Sequence, residues 1–148
     1  MAETDPSTGK PVFVLLAGFG LPGRVVAERV RSRGLEFRVI EKNPAAAARA
    51  LAAGWPVVEG DALEARVLRE AGIERATVFS AMMPDQADVL KCVQLAKSLN
   101  PAIRIIARCT YISGGLEAAK RGAVEVVVAE QAVAREFDQA IQRMLQTA

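Results

Sequence analysis

"VFVLLAGFGLPG", residues 12–23, joins an unbroken apolar run to a glycine-rich turn. Such a run, rich in branched side chains and ending in glycine, is typical of a strand that is buried on both faces. The glycines follow with the spacing G-x-G-x-x-G, and a helical pattern begins at Pro22. The stretch therefore predicts a strand, a tight turn and a helix whose N terminus faces a ligand.

The three glycines have different expected roles in this turn. Gly18 allows the tight turn, Gly20 lets a phosphate approach the main chain, and Gly23 lets the helix pack closely on the strand. Phosphates then lie at the positive end of the helix dipole. Glu41 ends the next strand 23 residues after Gly18, where a carboxylate accepts hydrogen bonds from ribose hydroxyls and repels a 2′-phosphate. This favours an NAD- or AMP-type ligand over NADP, although a turn without any ligand remains the alternative.

Pro22 stands inside the loop and has no backbone N–H. Proline is tolerated in the first helical turn, because its N–H would have no partner within the helix. It nevertheless removes one donor to phosphate, while Gly20, Leu21 and Gly23 keep theirs and Arg24 follows. We therefore expect a weakened site with one phosphate at the helix end, where an AMP-like ligand fits nearly as well as NAD.

The rest of the chain alternates strands with helices. Five further apolar runs, each separated from the next by a helical stretch, are EFRVIEKN, WPVVEGDA, ATVFSAM, AIRIIARC and VEVVVAE. This alternation predicts an α/β fold: a single doubly wound Rossmann-type domain with a six-stranded parallel sheet in the order 3-2-1-4-5-6 and helices on both faces. We expect residues 1–10 to be a flexible N-terminal arm, residues 11–130 to be the nucleotide-binding domain, and residues 131–148 to be a C-terminal helix. In the first helix, Val25, Val26 and Val30 are the expected apolar face.

Three further polar residues follow predicted strands and are candidates for the same cleft. Asp61, next to Ala62 after the third strand, either accepts from an adenine amino group or caps a helix starting at Leu63. Arg108 ends the fifth strand, where it faces a phosphate or forms a structural ion pair. Lys42 either places a charge near the nucleotide or is simply solvated.

Composition excludes several classes of function. The chain has no histidine, which excludes histidine-based catalytic triads and the usual zinc sites. Its 19 basic and 17 acidic residues nearly balance, which gives no reason to expect a nucleic acid partner. No apolar run approaches the ~20 residues that span a bilayer, so we expect no direct membrane insertion. The two cysteines have no CxxC spacing and are expected to be buried, reduced thiols of a cytoplasmic protein.

Five motifs together resemble one known family. "GFGLPGR", "VIEKNP", "GDA…VLREAGIERA", "NPAIRIIARC" and "AVEVVVAE" occur in the order and spacing of the RCK N-terminal / TrkA-N (KTN) domain, from about Val12 to about Glu130. That family supplies cytosolic regulatory domains of potassium channels, Trk uptake systems and Kef-type potassium efflux antiporters. The resemblance implies binding of NAD(H) or an adenine nucleotide such as AMP, ADP or ATP, which changes how domains pack in dimers or rings and so gates a membrane-embedded partner.

The resemblance also implies roles for individual residues, none of them catalytic. Gly18, Phe19, Gly20, Leu21 and Gly23 would line the phosphate site, with Pro22 among them. Glu41 would hold the ribose, Asp61 and Ala62 would flank the adenine, and Arg108 would stand near the phosphates or the dimer seam. We expect a location peripheral to the inner membrane, through the transporter that the domain serves.

The sequence departs from the family pattern in the loop and after the fourth strand. Leu21 stands where members often have a basic or polar residue, and Pro22 replaces a residue with an N–H. The "D-D-x-x-N" of many members reads Pro84-Asp85-Gln86-Ala87-Asp88 here. The smaller domain that commonly follows is missing from the sequence, which suggests a stand-alone subunit or an excised part of a transporter.

The end of the chain carries an apolar stripe with helical spacing: Val133, Phe137, Ile141, Met144 and Leu145. The stripe either covers the chain's own sheet or, as in the resembling family, crosses to a partner subunit. We predict a homodimer.

Two enzyme classes are the alternatives. A small NAD-dependent oxidoreductase needs an acid or base beside the hydride site, yet Tyr111 lacks the lysine four residues on that short-chain dehydrogenases have. A methyltransferase also uses a glycine loop, but its sheet ends in an antiparallel hairpin for which the chain has no turn signal. A regulatory module that is not an enzyme is therefore the leading hypothesis.

Overall fold

The fold is described from a computed structural model for residues 2–146, so Met1 of the expected arm and residues 147–148 of the expected C-terminal helix lie outside the described part. The elements in chain order are β1 (Phe13–Ala17), α1 (Leu21–Ser32), β2 (Glu36–Glu41), α2 (Pro44–Ala52), β3 (Val57–Glu59), α3 (Ala65–Ala71), β4 (Val78–Ala81), α4 (Gln86–Leu99), β5 (Arg104–Cys109), α5 (Ile112–Lys120), β6 (Ala123–Val128) and α6 (Ala129–Gln146).

The six strands form one sheet in the order β3-β2-β1-β4-β5-β6, and every neighbouring pair is parallel. The predicted fold class and strand order are confirmed. Successive residues of β1 contribute to two separate cores: Leu15 packs in the same cluster as α3 and α4, and Leu16 in the cluster that contains α1. Because helices lie on both faces, the central strand β1 is buried along its whole length, as its unbroken apolar run predicts.

Helix α1 faces the sheet with its smallest residues. Gly23, Ala27 and Val30 are buried and Val26 packs against the same core, so the expected apolar face is wrong only for Val25, which is 57% exposed. A Cβ on Gly23 would stand 2.2 Å from the carbonyl oxygen of Gly18. This close approach fixes the rotation of the helix and turns Val25 outwards.

The N-terminal segment has defined contacts, although its composition predicts a flexible arm. Thr4 forms an antiparallel bridge with Pro11, and the side chain of Asp5 is inaccessible to solvent. The Asp5 carboxylate accepts from the backbone N–H groups of Ser7 and Thr8 and pairs with Arg104 on β5. The arm therefore folds back against the start of β5.

Helix α6 stands apart from its own sheet. It begins at Ala129, directly after β6 ends at Val128, and none of residues 129–146 is buried. Each residue of the predicted stripe is about half exposed or more, the members being Val133, Phe137, Ile141, Met144 and Leu145. The interpretation that this stripe covers the chain's own sheet therefore does not hold.

The two cysteines behave as their apolar surroundings predict. Cys92 and Cys109 are both free thiols and both buried. Burial raises the pKa of the Cys92 thiol to about 12 and also raises the pKa of Cys109. Neither group is a reactive thiolate at neutral pH.

Among the described residues, no helix combines the length and the apolar character needed to cross a bilayer.

Candidate functional site

A cavity of about 750 Å³ opens where the carboxyl ends of β1 to β5 meet. Ligands of open α/β sheets bind at this edge, beside the point where the strand order reverses between β1 and β4. The cavity is lined by Gly18, Phe19, Gly20, Leu21, Pro22, Ile40, Glu41, Lys42, Asn43, Gly60, Asp61, Ala62, Leu63, Met82, Met83, Pro84, Asp85, Asp88 and Arg108. Every candidate residue from the sequence except Gly23 is in this lining.

The glycine loop has the geometry of a turn that passes close to neighbouring backbone. Gly18 has a φ of 100°, which L side chains rarely adopt, and a Cβ there would lie 3.3 Å from the backbone of Met82. Gly20, by contrast, precedes α1 with an ordinary φ of −73°, and a Cβ on it would meet nothing within 4 Å. The space beside Gly20 is therefore open for a ligand.

The N terminus of α1 presents unused donors. The helix starts at Leu21 with Pro22 in its first turn, as predicted. The N–H groups of Gly20, Leu21 and Gly23 donate to no acceptor within residues 2–146, and the first turn carries no acidic side chain. No acidic side chain of α1 itself compensates the positive end of the helix dipole, which suits an anion.

Gly23 itself lies behind the loop rather than in the cavity wall. It is buried, and its Cα stands close to the Gly18 carbonyl. Its role in the structure is the close packing of α1 on the turn.

Glu41 connects the end of β2 to the loop. Its Oε2 accepts a hydrogen bond from the backbone N–H of Phe19 at 3.3 Å. Its other carboxylate oxygen makes no hydrogen bond to residues 2–146, and Glu41 lines the cavity.

Both carboxylate oxygens of Asp61 have partners within the chain. Oδ1 accepts from the backbone N–H of Leu63 at 2.9 Å, and Oδ2 lies 3.3 Å from the Nζ of Lys42. Helix α3 starts only at Ala65, so Asp61 stabilises the turn before the helix instead of capping a helix at Leu63. Lys42 is 75% exposed, as expected of a largely solvated lysine, and it also lines the cavity.

Arg108 projects from β5 into the lining and is half-buried. No carboxylate of residues 2–146 lies within ion-pair distance of it, so the alternative of a structural ion pair within the chain is not seen. Ala62, a buried residue, forms part of the wall near the end of β3.

The segment after β4 supplies a wall of the cavity that the sequence reasoning missed. Its lining residues are Met82, Met83, Pro84, Asp85 and Asp88. The predicted strand order contained the necessary signal, because β4 neighbours β1 and its carboxyl end must border the same cleft. With these residues the lining carries four carboxylates and two cations: Glu41, Asp61, Asp85 and Asp88 against Lys42 and Arg108.

Arg24, which follows the glycine loop in the sequence, lies outside the cavity lining. It lines a separate hollow of about 220 Å³ together with Arg49 and Trp55. Its guanidinium carbon is 5.9 Å from the centroid of the Phe19 ring. Phe19 forms a wall of both spaces and so separates Arg24 from the larger cavity.

Comparisons with known proteins agree with this geometry. The TrkA-N domain family matches residues 14–129. The Trk system potassium uptake protein TrkA homologs of Pyrococcus abyssi and Pyrococcus horikoshii are 37% identical to the chain over 101 and 102 residues, respectively. Each match covers 67% of this chain and 44% of the relative, so the chain spans less than half the length of these proteins.

Solved structures share the fold. The TrkA-N domain of inner membrane protein ybaL from Escherichia coli superposes with a TM-score of 0.82 at 27% identity, covering 86% of this chain and 95% of that domain. The AMP-bound Kef CTD of Shewanella denitrificans gives 0.78 at 21% identity, covering 90% and 80%. The GsuK channel bound to NAD gives 0.71 at 23% identity, covering 86% and 23%. The resemblance seen in the sequence is confirmed: the chain belongs to the TrkA-N domain family.

Proposed function

We propose that this TrkA-N domain binds an adenine nucleotide, AMP or NAD(H), in the cavity at the carboxyl ends of the strands. In this role it regulates a membrane-embedded potassium channel, Trk-type uptake system or Kef-type antiporter and catalyses no reaction. The observation that carries the proposal is the combination of unused N–H donors at the start of α1 with the carboxylate of Glu41 on the same cavity.

The cavity provides a place for each part of such a ligand. A phosphate beside Gly20 accepts hydrogen bonds from the backbone N–H groups of Gly20 and Leu21 at the positive end of α1. The open oxygen of Glu41 accepts from the ribose hydroxyls, while Oε2 stays bonded to Phe19. The volume of about 750 Å³ lies in the range of small-molecule sites, roughly 300–1,000 Å³.

The charges of the lining favour nucleotides with few negative charges. Four carboxylates face two cations, and Pro22 withholds one phosphate donor. Each additional phosphate adds negative charge to a cavity that already has a negative balance. We therefore expect AMP and NAD(H) to bind more tightly than ADP and ATP.

The relatives support both the ligand and the biological role. The Kef CTD was solved with AMP, and the GsuK channel was solved with NAD and with ADP. The Pyrococcus relatives are named as Trk potassium uptake proteins. A cytoplasmic domain that reports nucleotide state to a potassium transporter, as a homodimer or larger ring, fits these names and the exposed apolar stripe of α6.

The oxidoreductase alternative finds less support in the lining. The titratable side chains there are four carboxylates, Lys42 and Arg108, and Tyr111 is not among the lining residues. Tyr111, the side chain that a short-chain dehydrogenase would use, therefore lies outside the cavity lining.

Calorimetry on the purified chain tests the proposal with AMP, ADP, ATP, NAD, NADH and NADPH. We expect binding of AMP and NAD(H) that Glu41→Ala weakens by about tenfold or more, because a hydrogen bond to a charged acceptor is lost. Glu28→Ala, a change of an exposed carboxylate on the outer side of α1, is the matched control and should leave affinity unchanged. Absence of binding by all six nucleotides, or an unchanged affinity in Glu41→Ala, would refute the assignment of the site.

A further inference from the structure

The N terminus of α4 touches the cavity and a neighbouring helix at once. Asp85 and Asp88 line the cavity, and the Oδ1 of Asp85 accepts from the Asp88 N–H at 2.9 Å, which caps the helix. Gln86, between them, makes its hydrogen bonds outside this group. Its Oε1 accepts from the backbone N–H groups of Thr110 at 2.9 Å and Tyr111 at 3.3 Å.

The Gln86 side chain caps the N terminus of α5. That helix starts at Ile112 after Tyr111, whose own side chain makes no capping hydrogen bond. The fit around the amide is close, because a Cβ on Gly114 would stand 2.1 Å from the Oε1 of Gln86. One amide oxygen therefore holds the N terminus of α5 against the N terminus of α4.

Thr110 continues the connection to α6. Its carbonyl oxygen accepts from the backbone N–H of Glu130 at 3.3 Å, in the first turn of α6. No residue separates β6 from α6, and no side chain of residues 129–146 is buried. The direction of α6 is therefore set by the few contacts at its start, and the bond to Thr110 is one of them.

We propose that Gln86 is a positioning residue that couples occupancy of the nucleotide cavity to the first turn of α6 through Thr110. The inference rests on the nucleotide site proposed above. A ligand that contacts Asp85 or Asp88 acts on the start of α4, and Gln86 transmits the change to Thr110 and then to Glu130. Arg108 lines the same cavity and lies near the end of β5, two residues before Thr110. A ligand that contacts Arg108 therefore has a second route to Thr110.

Hydrogen exchange with mass spectrometry on the full chain tests the coupling, with AMP and NAD as the probes. The variants are Gln86→Ala, which removes the acceptor, and Gln86→Glu, which keeps one. Gln94→Ala is the matched control, because Gln94 is an exposed glutamine of the same helix. Thr110 and Tyr111 are exposed, so their N–H groups bond to water in Gln86→Ala and the fold is retained.

In the parent chain and in Gln94→Ala, nucleotide should slow exchange over residues 110–116 and 129–134 by about fivefold or more. In Gln86→Ala, nucleotide should slow exchange over residues 129–134 by less than about twofold, while the affinity for nucleotide stays within about threefold of the parent value. Gln86→Glu should restore the slowing of exchange. If Gln86→Ala only removed the cap of α5, exchange in that helix would rise by the same factor with and without nucleotide.

The outcomes separate this inference from the proposed function. Nucleotide binding without any change over residues 129–134, or a full response in Gln86→Ala, overturns the coupling and leaves the nucleotide site intact. Calorimetry that shows no nucleotide binding overturns both.

Discussion

The carboxylate of Glu41 accepts a hydrogen bond from the backbone N–H of Phe19 at 3.3 Å, across 22 residues of sequence. The end of β2 therefore holds the glycine loop in shape without a ligand. Because only one of the two oxygens is used, the same side chain can bind the ribose without releasing Phe19. In the proposed complex the same carboxylate would hold the loop in shape and bind the ribose, which lowers the cost of ordering the site on binding.

Glu41→Gln separates these two roles. The amide oxygen still accepts from Phe19, but the negative charge that repels a 2′-phosphate is gone. We expect the preference for NADH over NADPH to shrink by about tenfold. Calorimetry with both dinucleotides measures the ratio, and Glu28→Gln serves as the charge-matched control. A ratio that stays at the parent value would mean that Glu41 does not face the ribose.

The same change at two glycines should have opposite effects. Gly23→Ala places a Cβ 2.2 Å from the Gly18 carbonyl and should destabilise the fold by about 3 kcal/mol. In Gly20→Ala the added Cβ meets no atom within 4 Å, so the midpoint of thermal unfolding should stay nearly unchanged. The same Cβ should weaken the binding of AMP and NAD, because it fills the space expected for phosphate. Thermal unfolding and calorimetry on both variants check this pair. Tight nucleotide binding by Gly20→Ala would place the phosphate elsewhere.

Pro22→Ala restores an N–H to the first turn of α1. Because proline is merely tolerated there, the helix should form as before. The added donor should raise the affinity for NAD by up to about tenfold, which is the effect of one hydrogen bond to a charged group. Isothermal calorimetry with NAD and AMP gives both affinities. Unchanged values for both ligands would show that the Pro22 position does not face phosphate.

The ion pair of Asp5 with Arg104 predicts a pH dependence of stability. Burial alone would raise the pKa of Asp5, but hydrogen bonds from Ser7 and the Arg104 guanidinium outweigh it and lower the pKa from 3.8 to about 2. A depressed pKa in the folded state gives stability that is fully present above the unfolded value and is lost as the pH falls through the folded value. Asp5→Asn should therefore melt at a lower temperature than the parent at pH 7, with the difference shrinking between about pH 4 and pH 2.

Glu3→Gln is the control for this titration, because Glu3 pairs with Arg33 on an exposed surface. Its melting temperature should follow the parent within error at every pH. A constant gap between Asp5→Asn and the parent down to pH 2 would contradict the titration of Asp5.

The exposed stripe of α6 predicts self-association. Phe137 is 73% exposed in the isolated chain, and its ring is the largest apolar group of the stripe. We expect light scattering to give a mass near twice 15.8 kDa for the parent and a return towards 15.8 kDa for Phe137→Ser. Leu51→Ser, a change of a half-exposed leucine on α2, should leave the dimer intact. A parent chain that stays at 15.8 kDa at high concentration would exclude this dimer.

The sheet and the loop could be predicted because local patterns determine them. The apolar run of β1 and the positive φ that glycine adopts easily at Gly18 predict the first strand and the turn, and right-handed crossovers together with a Rossmann-type glycine loop favour the observed strand order. The same order predicts which segments border the cavity. Applied to the end of β4, it would also have identified Met82 and Met83.

Other features depend on packing between distant residues and leave no pattern in a single sequence. Asp5 and Arg104 are 99 residues apart, and Gln86 and Thr110 are 24 apart. The rotation of α1 is a similar case, because spacing alone does not separate Val25 from Val26, while the contact of Gly23 with the loop turns Val25 away from the sheet.

The absence of any linking residue between β6 and α6 has a mechanical consequence. The 18 residues of α6 form a rod about 27 Å long. A tilt of about 10° at its first turn displaces the far end by about 5 Å, the pitch of one helical turn. Because the first turn of α6 lies one hydrogen bond from Thr110, any change of helix direction that starts at this bond is enlarged along the whole length of the helix.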